Sequence, residues 1–324
     1  MRILLWHVHG SWATSFVQGP HDYVVPVLPD RGPDGLGRAQ SWDWPASVRE
    51  LPPEELADSA PDIVLLQRPH EAELLRSWTG LRVGVDVPAV YVEHNTPEGD
   101  GSGVRHPMAD QAMVPVVHVT HFNALTWDCG SARTSVIEHG IVDPGPLYTG
   151  ELSRAAVVVN DPIRRWRTVG TDLLPVFARR VPLDVFGMRV AGLPEHLEVD
   201  PGFDPASLRP YEDLPQARMH DQLARRRVYL HTTRWTSLGL ALLEAMHLGM
   251  PVVVLGTTEA FRAVPPGAGT VSADLDELAT SLRELLHDPA LARATGAAGR
   301  RAVLARYSLG RFLDDWDELL VKVT

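Results

Sequence analysis

Residues 236–254 contain the strongest indication of chemistry in the sequence, a place for a phosphate group. Thr236 and Ser237 are residue types that commonly cap the N-terminus of a helix, and strong helix formers continue to Leu248. Such a helix end offers unpaired N–H groups and a partial positive charge, which attract an anion. Gly239 in the first turn lets a ligand approach the backbone closely. Because most helix–glycine–proline–strand units in α/β proteins bind nothing, a purely structural role stays open.

The same stretch resembles the signature of retaining GT-B glycosyltransferases, most closely that of family 4. In this signature a glutamate, a short turn and a second glutamate eight positions later precede Ala-Met, Gly and Pro-Val-Val; residues 244–246 and 249–253 match it. The resemblance implies that Glu244, a predicted catalytic residue, holds the nucleotide ribose. Thr236 stands where the first glutamate contacts the donor sugar. The nucleotide-sugar contacts predicted in this stretch are Thr236, Ser237, Leu238, Gly239, Leu240 and Glu244.

A second group of candidate functional residues lies at the end of the first predicted strand and consists of His7, His9 and Gly10. His7 and His9 would point to the same face of a strand, but two ligands do not make a metal site, and we predict no metal. A glycine after the first strand is common in nucleotide- and sugar-binding α/β folds, which favours Gly10 as a contact for the nucleotide sugar. In the family that the chain resembles, this loop faces the acceptor. A tight turn with hydrogen-bonded histidines is the alternative.

His94 comes directly after a predicted buried strand over residues 89–93. Ligands of parallel α/β sheets bind beyond the carboxyl ends of the strands, which is where His94 falls. The resemblance implies that His94 contacts the donor sugar near its anomeric carbon, so we predict that it is catalytic. A lone histidine at a strand end is more often a hydrogen-bonded polar residue without a ligand.

The resemblance also indicates where the diphosphate and the base would be held. The family has a Lys-Gly pair that grips the diphosphate, and Val169 replaces its lysine here. We therefore predict that Arg164 or Arg167 supplies the cation, because a guanidinium binds phosphate in a bidentate manner. An exposed basic loop is the alternative. Tyr211 lies where such enzymes hold the nucleobase, and it either stacks on the base or packs within the protein.

Length and charge restrict the classes of function. The chain has 324 residues, which suits two domains of roughly 150 residues each. The first 150 residues hold 9 Lys and Arg against 19 Asp and Glu, a surface that suits neither nucleic acid nor an anionic membrane. The single cysteine, Cys129, excludes a disulfide framework and fits a reducing compartment. Since no secretory signal or membrane-spanning run is recognisable, we expect a cytoplasmic protein.

Strand-like and helix-like segments alternate along the chain, which is the pattern of βαβ units. We predict an α/β fold of two Rossmann-like domains that face each other across a cleft, the GT-B arrangement. The predicted domains are residues 1–148 for the acceptor and 149–324 for the nucleotide sugar, with a last helix at about 308–322 crossing back to the first domain. The predicted strands of the first domain are 3–8, 23–28, 62–67, 89–93, 114–119 and 134–138, and its helices are 46–59, 71–78 and 121–129. The long segment 29–45 is either functional or mobile.

From these observations we predict a hexosyltransferase-like, metal-independent glycosyltransferase that acts with retention, in glycan or secondary-metabolite biosynthesis. Its donor would be a nucleoside-diphosphate sugar, with UDP or GDP as the nucleotide, and its acceptor a small molecule or a glycan. No further cofactor is expected. Two alternatives stay open: a sugar-nucleotide epimerase on the same fold, and a catalytically inactive homologue that binds the nucleotide sugar. A turnover assay with donor alone distinguishes these possibilities.

Overall fold

The computed structural model describes residues 1–99 and 103–324, which divide into two compact units. Unit 1 comprises Met1–Val142 together with Leu309–Thr324, and unit 2 comprises Asp143–Ser308. Both units are built on parallel sheets connected by helices, which confirms the predicted α/β class. Among the described residues, no helix has both the length and the apolar character that a bilayer crossing requires.

Unit 1 contains a parallel sheet with the strand order β3-β2-β1-β4-β5-β6-β7 over the described residues. Its strands are β1 (Arg2–Leu5), β2 (Asp22–Pro26), β3 (Val48–Leu51), β4 (Ile63–Leu66), β5 (Ala89–Glu93), β6 (Val116–His118) and β7 (Thr134–Val136). Its helices are α1 (Gly10–Phe16), α2 (Pro53–Leu56), α3 (Glu71–Thr79), α4 (His121–Thr126) and, from the far end of the sequence, α13 (Leu309–Val323). The strands β4 and β5 are buried along their whole length, as in parallel sheets with both faces covered.

The last helix, α13, completes the core of unit 1. Its buried residues Phe312, Trp316 and Leu320 recur every four positions and form one apolar face. The ring of Trp316 meets those of Trp12 and Phe16 on α1 edge to face, at centroid distances of 5.7 and 5.2 Å. Residues separated by about 300 positions in the sequence therefore share one aromatic cluster.

Unit 2 contains a parallel sheet with the order β10-β9-β8-β11-β12-β13 over the residues that the structure describes. Its strands are β8 (Leu152–Val158), β9 (Leu183–Gly187), β10 (Leu208–Glu212), β11 (Arg226–His231), β12 (Val252–Leu255) and β13 (Gly269–Ser272). Its helices are α5 (Pro162–Val169), α6 (Leu174–Ala178), α7 (Leu193–Leu197), α8 (Gln216–Arg225), α9 (Leu240–Leu248), α10 (Ala260–Ala263), α11 (Leu275–His287) and α12 (Pro289–Arg306).

The predicted strands of unit 1 agree with the observed ones to within a few residues, but one predicted helix is wrong. Residues 46–59 are not a single helix, because Val48–Leu51 form the edge strand β3, which pairs in parallel with β2. The two prolines Pro52 and Pro53 follow this strand. Proline cannot continue a ladder of hydrogen bonds, but it suits the first turn of a helix, so α2 begins there and is short.

A glycine contact between α9 and α12 leads to the first prediction, which concerns stability. A Cβ atom on Gly296 of α12 would lie 2.0 Å from the carbonyl oxygen of Gly249, which follows α9. We expect Gly296→Ala to lower the free energy of unfolding by about 2 kcal/mol or more, because the backbone cannot move aside cheaply. The shift in the urea unfolding midpoint measures this loss.

A matched control is Gly310→Ala on α13, where a Cβ atom would meet nothing within 4 Å. We expect this exchange to leave stability unchanged or to raise it by up to about 1 kcal/mol, because alanine is the better helix former. Equal midpoints for the two variants would contradict the contact at Gly296.

Candidate functional site

The loop between β11 and α9 brings the predicted phosphate-binding residues to the N-terminus of α9. The predicted capping by Thr236 or Ser237 is wrong, because α9 begins at Leu240 with Gly239 as its N-cap residue, the backbone of Gly239 is extended, and no side chain caps the helix. Ser237 and Leu238 are buried, whereas Thr236, Gly239 and Leu240 are partly exposed. The helix thus begins at the surface of unit 2, and its first N–H groups are the groups that an anion would meet.

Gly239 is also required by the packing beneath it. A Cβ atom at this position would lie 2.5 Å from the Cε1 atom of His231, which ends β11 and is buried. A larger residue would push the helix start away from the strand. Close packing of strand and helix is therefore a second explanation for glycine at this position, beside the predicted close approach of a ligand.

The last turn of α5 is attached to the same loop. The hydroxyl of Thr232 donates a hydrogen bond to the carbonyl of Val169 at 2.9 Å, and the N–H of Arg234 donates to the carbonyl of Thr168 at 2.9 Å. Gly170 has a φ of +75°, and a Cβ atom there would lie 2.0 Å from the carbonyl oxygen of Thr232, so glycine is needed. These contacts hold α5 against the loop that leads to α9.

The two arginines predicted to bind the diphosphate are exposed and already paired. Arg164 binds Asp161 at 2.9 Å and Arg167 binds Asp172 at 3.1 Å. Arg165 lies between them and is partly buried, and in the described part of the chain its guanidinium forms no hydrogen bond or salt bridge. Burial, followed by the neighbouring Arg164, lowers its pKa, whereas the negative charge of Asp161 acts in the opposite direction. A partly buried cation that forms no salt bridge is a better anion-binding group than two exposed cations that are each paired with an aspartate.

Val169 does not leave room for another cation at the family's lysine position. Its side chain is 3% exposed and packs in the hydrophobic core of unit 2. The positive charge near this loop must come from another position on α5. Sequence spacing did not single out Arg165, because three arginines within four residues look alike until their carboxylate partners are known.

Glu244 lies on α9 with its carboxylate directed at α8, and it is 3% exposed. The side-chain amide of Gln216 donates a hydrogen bond to Oε1 at 3.2 Å, and Nε2 of His220 lies 3.2 Å from Oε2. Gln216 and His220 are four positions apart on α8, so both point to the same side of that helix. They orient the carboxylate, and this polar pair at helical spacing is the signal that sequence reasoning overlooked.

Tyr211 packs within unit 2. Its ring stacks on Phe186 with the centroids 4.6 Å apart, and the guanidinium of Arg226 lies 4.8 Å from its centroid. Arg226 is buried and binds Asp184 at 2.7 Å. Packing alone accounts for the tyrosine, and its contact with a nucleobase stays a prediction.

In unit 1 the predicted contact residue Gly10 begins α1 and lies under an indole ring. A Cβ atom on Gly10 would lie 2.5 Å from the ring of Trp42. Trp42 belongs to segment 29–45, which is anchored by the indole N–H of Trp44, a donor to the Thr14 hydroxyl at 2.9 Å. This anchoring argues against the interpretation of segment 29–45 as a mobile loop.

His7 and His9 do not point to a common site. The strand β1 ends at Leu5, so the two-residue period of a strand does not extend to them. The Nδ1 atom of His7 lies 3.0 Å from the carbonyl oxygen of Gly37, whereas His9 precedes α1 and its ring lies 4.0 Å from that of His94. Within residues 1–99 and 103–324, no group of three or more His, Cys, Asp or Glu side chains is arranged to hold a metal ion.

The predicted catalytic residue His94 follows β5 directly and is 6% exposed. Burial lowers its pKa well below the usual range, so the ring is neutral at pH 7. Trp12 presents its edge to the ring at a centroid distance of 5.0 Å. A neutral imidazole in this position can donate one hydrogen bond and accept another.

A buried carboxylate fixes the turn on which His94 stands. Oε1 of Glu93 accepts a hydrogen bond from the backbone N–H of Asn95 at 2.6 Å, and its Oε2 lies 2.9 Å from Nε2 of His106. Because Nδ1 of His106 accepts from the N–H of Met108, the ring proton is on Nε2 and points at Glu93. His106 and Glu93 therefore hold the backbone on both sides of His94 in place.

We expect the free energy of unfolding to depend on pH, because each unit contains a buried histidine with a lowered pKa. Burial lowers the pKa of His118 and of His231 to about 4, from 6.5. Between these values the unfolded chain binds protons that the folded chain does not, so the free energy of unfolding falls as the pH drops through this range. At pH 5 the loss is about 2 kcal/mol for each histidine.

Urea unfolding at pH 7 and pH 5 measures this loss. Titrating carboxylates also contribute at the lower pH, so we compare the wild-type protein with His118→Asn, which cannot titrate. We expect the variant to lose less stability between the two pH values. Equal losses in the two proteins would contradict a depressed pKa at His118.

Comparisons with known proteins show what parts of this chain are similar to. Residues 174–318 match the family model described as glycosyl transferase-like. A GDP-mannose-dependent monoacylated alpha-(1-6)-phosphatidylinositol monomannoside mannosyltransferase of Corynebacterium glutamicum is 42% identical over 73 residues. That segment covers 22% of this chain and 19% of the relative, so the likeness extends over a small part of both proteins.

Similar solved structures cover nearly the whole chain. Sucrose-phosphate synthase from Thermosynechococcus elongatus has a TM-score of 0.70 and 14% identity, with 99% of this chain and 98% of that chain covered. HepE from Anabaena, solved in complex with UDP, has a TM-score of 0.71 and 13% identity, covering 99% and 100% of the two chains. At such identities the likeness shows the fold. The predicted resemblance to GT-B glycosyltransferases is confirmed by these matches.

Proposed function

We propose that this chain, which has the GT-B fold and carries a glycosyl transferase-like domain, transfers a sugar from a nucleoside-diphosphate sugar to an acceptor hydroxyl. The observation that carries the proposal is the arrangement in unit 2, where one loop joins three groups. This loop leads into the uncapped N-terminus of α9, it is hydrogen-bonded to the helix that carries Arg165, and Glu244 follows on α9 itself.

These groups match the parts of a nucleoside diphosphate. The first N–H groups of α9 and the Arg165 guanidinium suit the diphosphate, and the Glu244 carboxylate suits the ribose hydroxyls, which donate hydrogen bonds. When the bond between sugar and diphosphate breaks, negative charge grows on the diphosphate. Fixed amide dipoles and a guanidinium stabilise that charge without having to reorganise. In this proposal the protein's own groups neutralise the leaving group, and the donor is the only small molecule required beside the acceptor.

Two non-glycine residues with positive φ support a functional role for α5. Asp161 has a φ of +53° and Trp166 a φ of +28°, and they lie on either side of Arg165 in the sequence. Backbone strain of this kind is concentrated at functional sites, where it fixes the direction of a side chain. The strain at these two positions therefore supports a functional role for the segment between them, and partial burial selects Arg165 over the exposed Arg164 within it.

We assign binding of the acceptor to unit 1. Within this unit, His94 is the residue that we place nearest the anomeric carbon of the donor sugar. The reaction would proceed with retention, as in the family that the sequence resembles. Names of similar proteins mention GDP-mannose and UDP, which supports a GDP or UDP sugar as donor. A small molecule or a glycan is the proposed acceptor, and the cytoplasm, where sugar nucleotides are available, is the proposed place of the reaction.

A thermal-shift screen with UDP, GDP, ADP, CDP and TDP tests the proposal. A ligand at 100 times its dissociation constant stabilises the folded chain by about 2.7 kcal/mol, which raises the melting temperature by several degrees. The matching nucleoside monophosphates are the control and should bind more weakly, since they lack the second phosphate. The nucleotide that binds best then selects the sugar nucleotides for turnover assays.

Turnover separates the proposed reaction from the alternatives. A glycosyltransferase hydrolyses its donor slowly in the absence of acceptor, an epimerase converts the donor sugar, and an inactive homologue does neither. The anomeric configuration of the product, read by NMR, tests retention. The proposal is wrong if none of the five nucleoside diphosphates binds.

A further inference from the structure

Three histidine side chains lie close together in unit 1. His9, His94 and His139 follow β1, β5 and β7 respectively, and we call them the histidine cluster. The rings of His9 and His94 are inclined by 30° with their centroids 4.0 Å apart. His139 is close enough to both rings to interact with them electrostatically. One cluster thus combines the predicted catalytic residue with two histidines that the proposed function has not used.

The cluster contains buried nitrogen atoms without hydrogen-bond partners. In the described part of the chain, Nε2 of His94 and both ring nitrogens of His139 have no partner, and neither has Nε1 of Trp12, whose ring touches His94. His94 is 6% exposed and His139 is 3% exposed. A buried polar group without a partner costs about 1–3 kcal/mol, and native proteins contain few of them. Several in one place indicate that a polar ligand completes the site.

The cluster is electrically neutral at pH 7. Burial is the largest cause that lowers the pKa of His9 to about 4 and that of His139 to about 3. The positive charge of Arg68 acts on His9 and that of Arg311 acts on His139, and each of these arginines is paired with a carboxylate, at 2.7 and 2.5 Å. These pairs are Arg68 with Glu71 and Arg311 with Asp315. An anion would therefore find no uncompensated positive charge here.

A neutral imidazole matches a hydroxyl group better than it matches an anion. Each uncharged ring offers one N–H donor and one nitrogen acceptor, and a hydroxyl likewise donates once and accepts through its oxygen. A carboxylate or a fully ionised phosphate only accepts hydrogen bonds, so the acceptor nitrogens of the cluster would stay without a partner. A sugar or cyclitol presents several hydroxyls on one rigid ring and could satisfy several nitrogens at once.

We infer that His9, His94 and His139 form a subsite for the hydroxyl groups of a neutral, polyhydroxylated acceptor. The inference rests on the proposed function, because it identifies the acceptor of that reaction. His9 and the adjoining Gly10 are partly exposed, so the acceptor would enter on their side of the cluster. His139, with two unpartnered nitrogens, decides which hydroxyl arrangement is accepted.

NMR of the full chain labelled with ¹⁵N-histidine tests the inference on the wild-type protein. Methyl α-glucoside, myo-inositol and glycerol are the neutral probes, and glucose 6-phosphate is the anionic probe. We expect at least one neutral ring compound to shift the ring signals of His9, His94 and His139 in a saturable way. The exposed His287 in unit 2 is the internal control and should not shift. Shifts caused only by the phosphorylated probe, or by none of the four, would overturn the inference.

Variants of His139 provide a second measurement. We expect His139→Phe to weaken binding of the neutral probe at least tenfold and to leave the dissociation constant of the best nucleoside diphosphate within twofold. His139→Asn keeps one donor and one acceptor and should recover part of the affinity. Unchanged probe affinity in His139→Phe would overturn the inference. Failure of nucleoside diphosphates to bind the wild-type chain would instead disprove the proposed function, so the two failures are distinguishable.

Discussion

Replacing Arg165 by glutamine is expected to weaken the binding of nucleoside diphosphates by about 10- to 100-fold. Hydrogen bonds to a charged group contribute about 1.5–3 kcal/mol, and each 1.4 kcal/mol corresponds to a factor of ten in the dissociation constant. Arg165 is partly buried, and in the described structure its guanidinium forms no salt bridge, so its charge is available to a ligand. Isothermal titration calorimetry with the best nucleotide of the screen measures the effect.

The neighbouring arginines are matched controls for this experiment. Arg164 and Arg167 have exposed side chains, 69% and 72%, and each is bound to an aspartate. Because solvent and these carboxylates already compensate their charges, we expect Arg164→Gln and Arg167→Gln to change the dissociation constant less than threefold. A large effect at either of them together with none at Arg165 would show that the originally predicted cations bind the diphosphate.

The second large effect is expected for Glu244→Gln, which should weaken nucleoside diphosphate binding by about 10- to 100-fold. The exchange keeps the size of the side chain but removes the negative charge that ribose hydroxyls would donate to. Gln216 and His220 hold the wild-type carboxylate at 3.2 Å each, so its position on α9 is defined before any ligand arrives.

Pyrophosphate distinguishes the roles of the two residues. It has no ribose, so Glu244→Gln should bind pyrophosphate as well as the wild-type protein does, whereas Arg165→Gln should bind it less well. Circular dichroism and the melting temperature of each variant confirm that it is folded. If Glu244→Gln lost affinity for pyrophosphate and nucleotide alike, its effect would be structural and the ribose contact would be disproved.

The fold could be predicted from the sequence more completely than the candidate site could. Buried parallel strands are short apolar runs, so β4 and β5 could be located within a residue or two from their hydrophobicity. The segment 46–59 was misjudged because its edge strand contains Arg49 and Glu50, and a strand with one side open to solvent carries no such apolar run. The helix propensity of the segment therefore led to the prediction of a helix. In the folded sheet, pairing with β2 makes residues 48–51 a strand instead.

The proposed binding residues depend on contacts within the fold that spacing along the sequence cannot reveal. Arg164, Arg165 and Arg167 differ in their carboxylate partners, and those partners include Asp172, which lies beyond the helix. Sequence spacing did not single out His139, because its neighbours His9 and His94 are distant along the chain. Motifs therefore located His94 and placed the start of α9 to within a few residues, while the contacts within the fold singled out Arg165 and His139.

The aromatic face of α13 has a consequence for how the chain is made. Unit 1 needs Phe312 and Trp316 to cover Trp12 and Phe16, so its interior stays incomplete on the ribosome until residue 320 or so has emerged. Unit 2 is contiguous and can fold while the first 142 residues still wait for their final helix. A nascent chain stalled before Leu309 would expose two large rings at its surface, and chaperones rather than tertiary contacts would have to shield them.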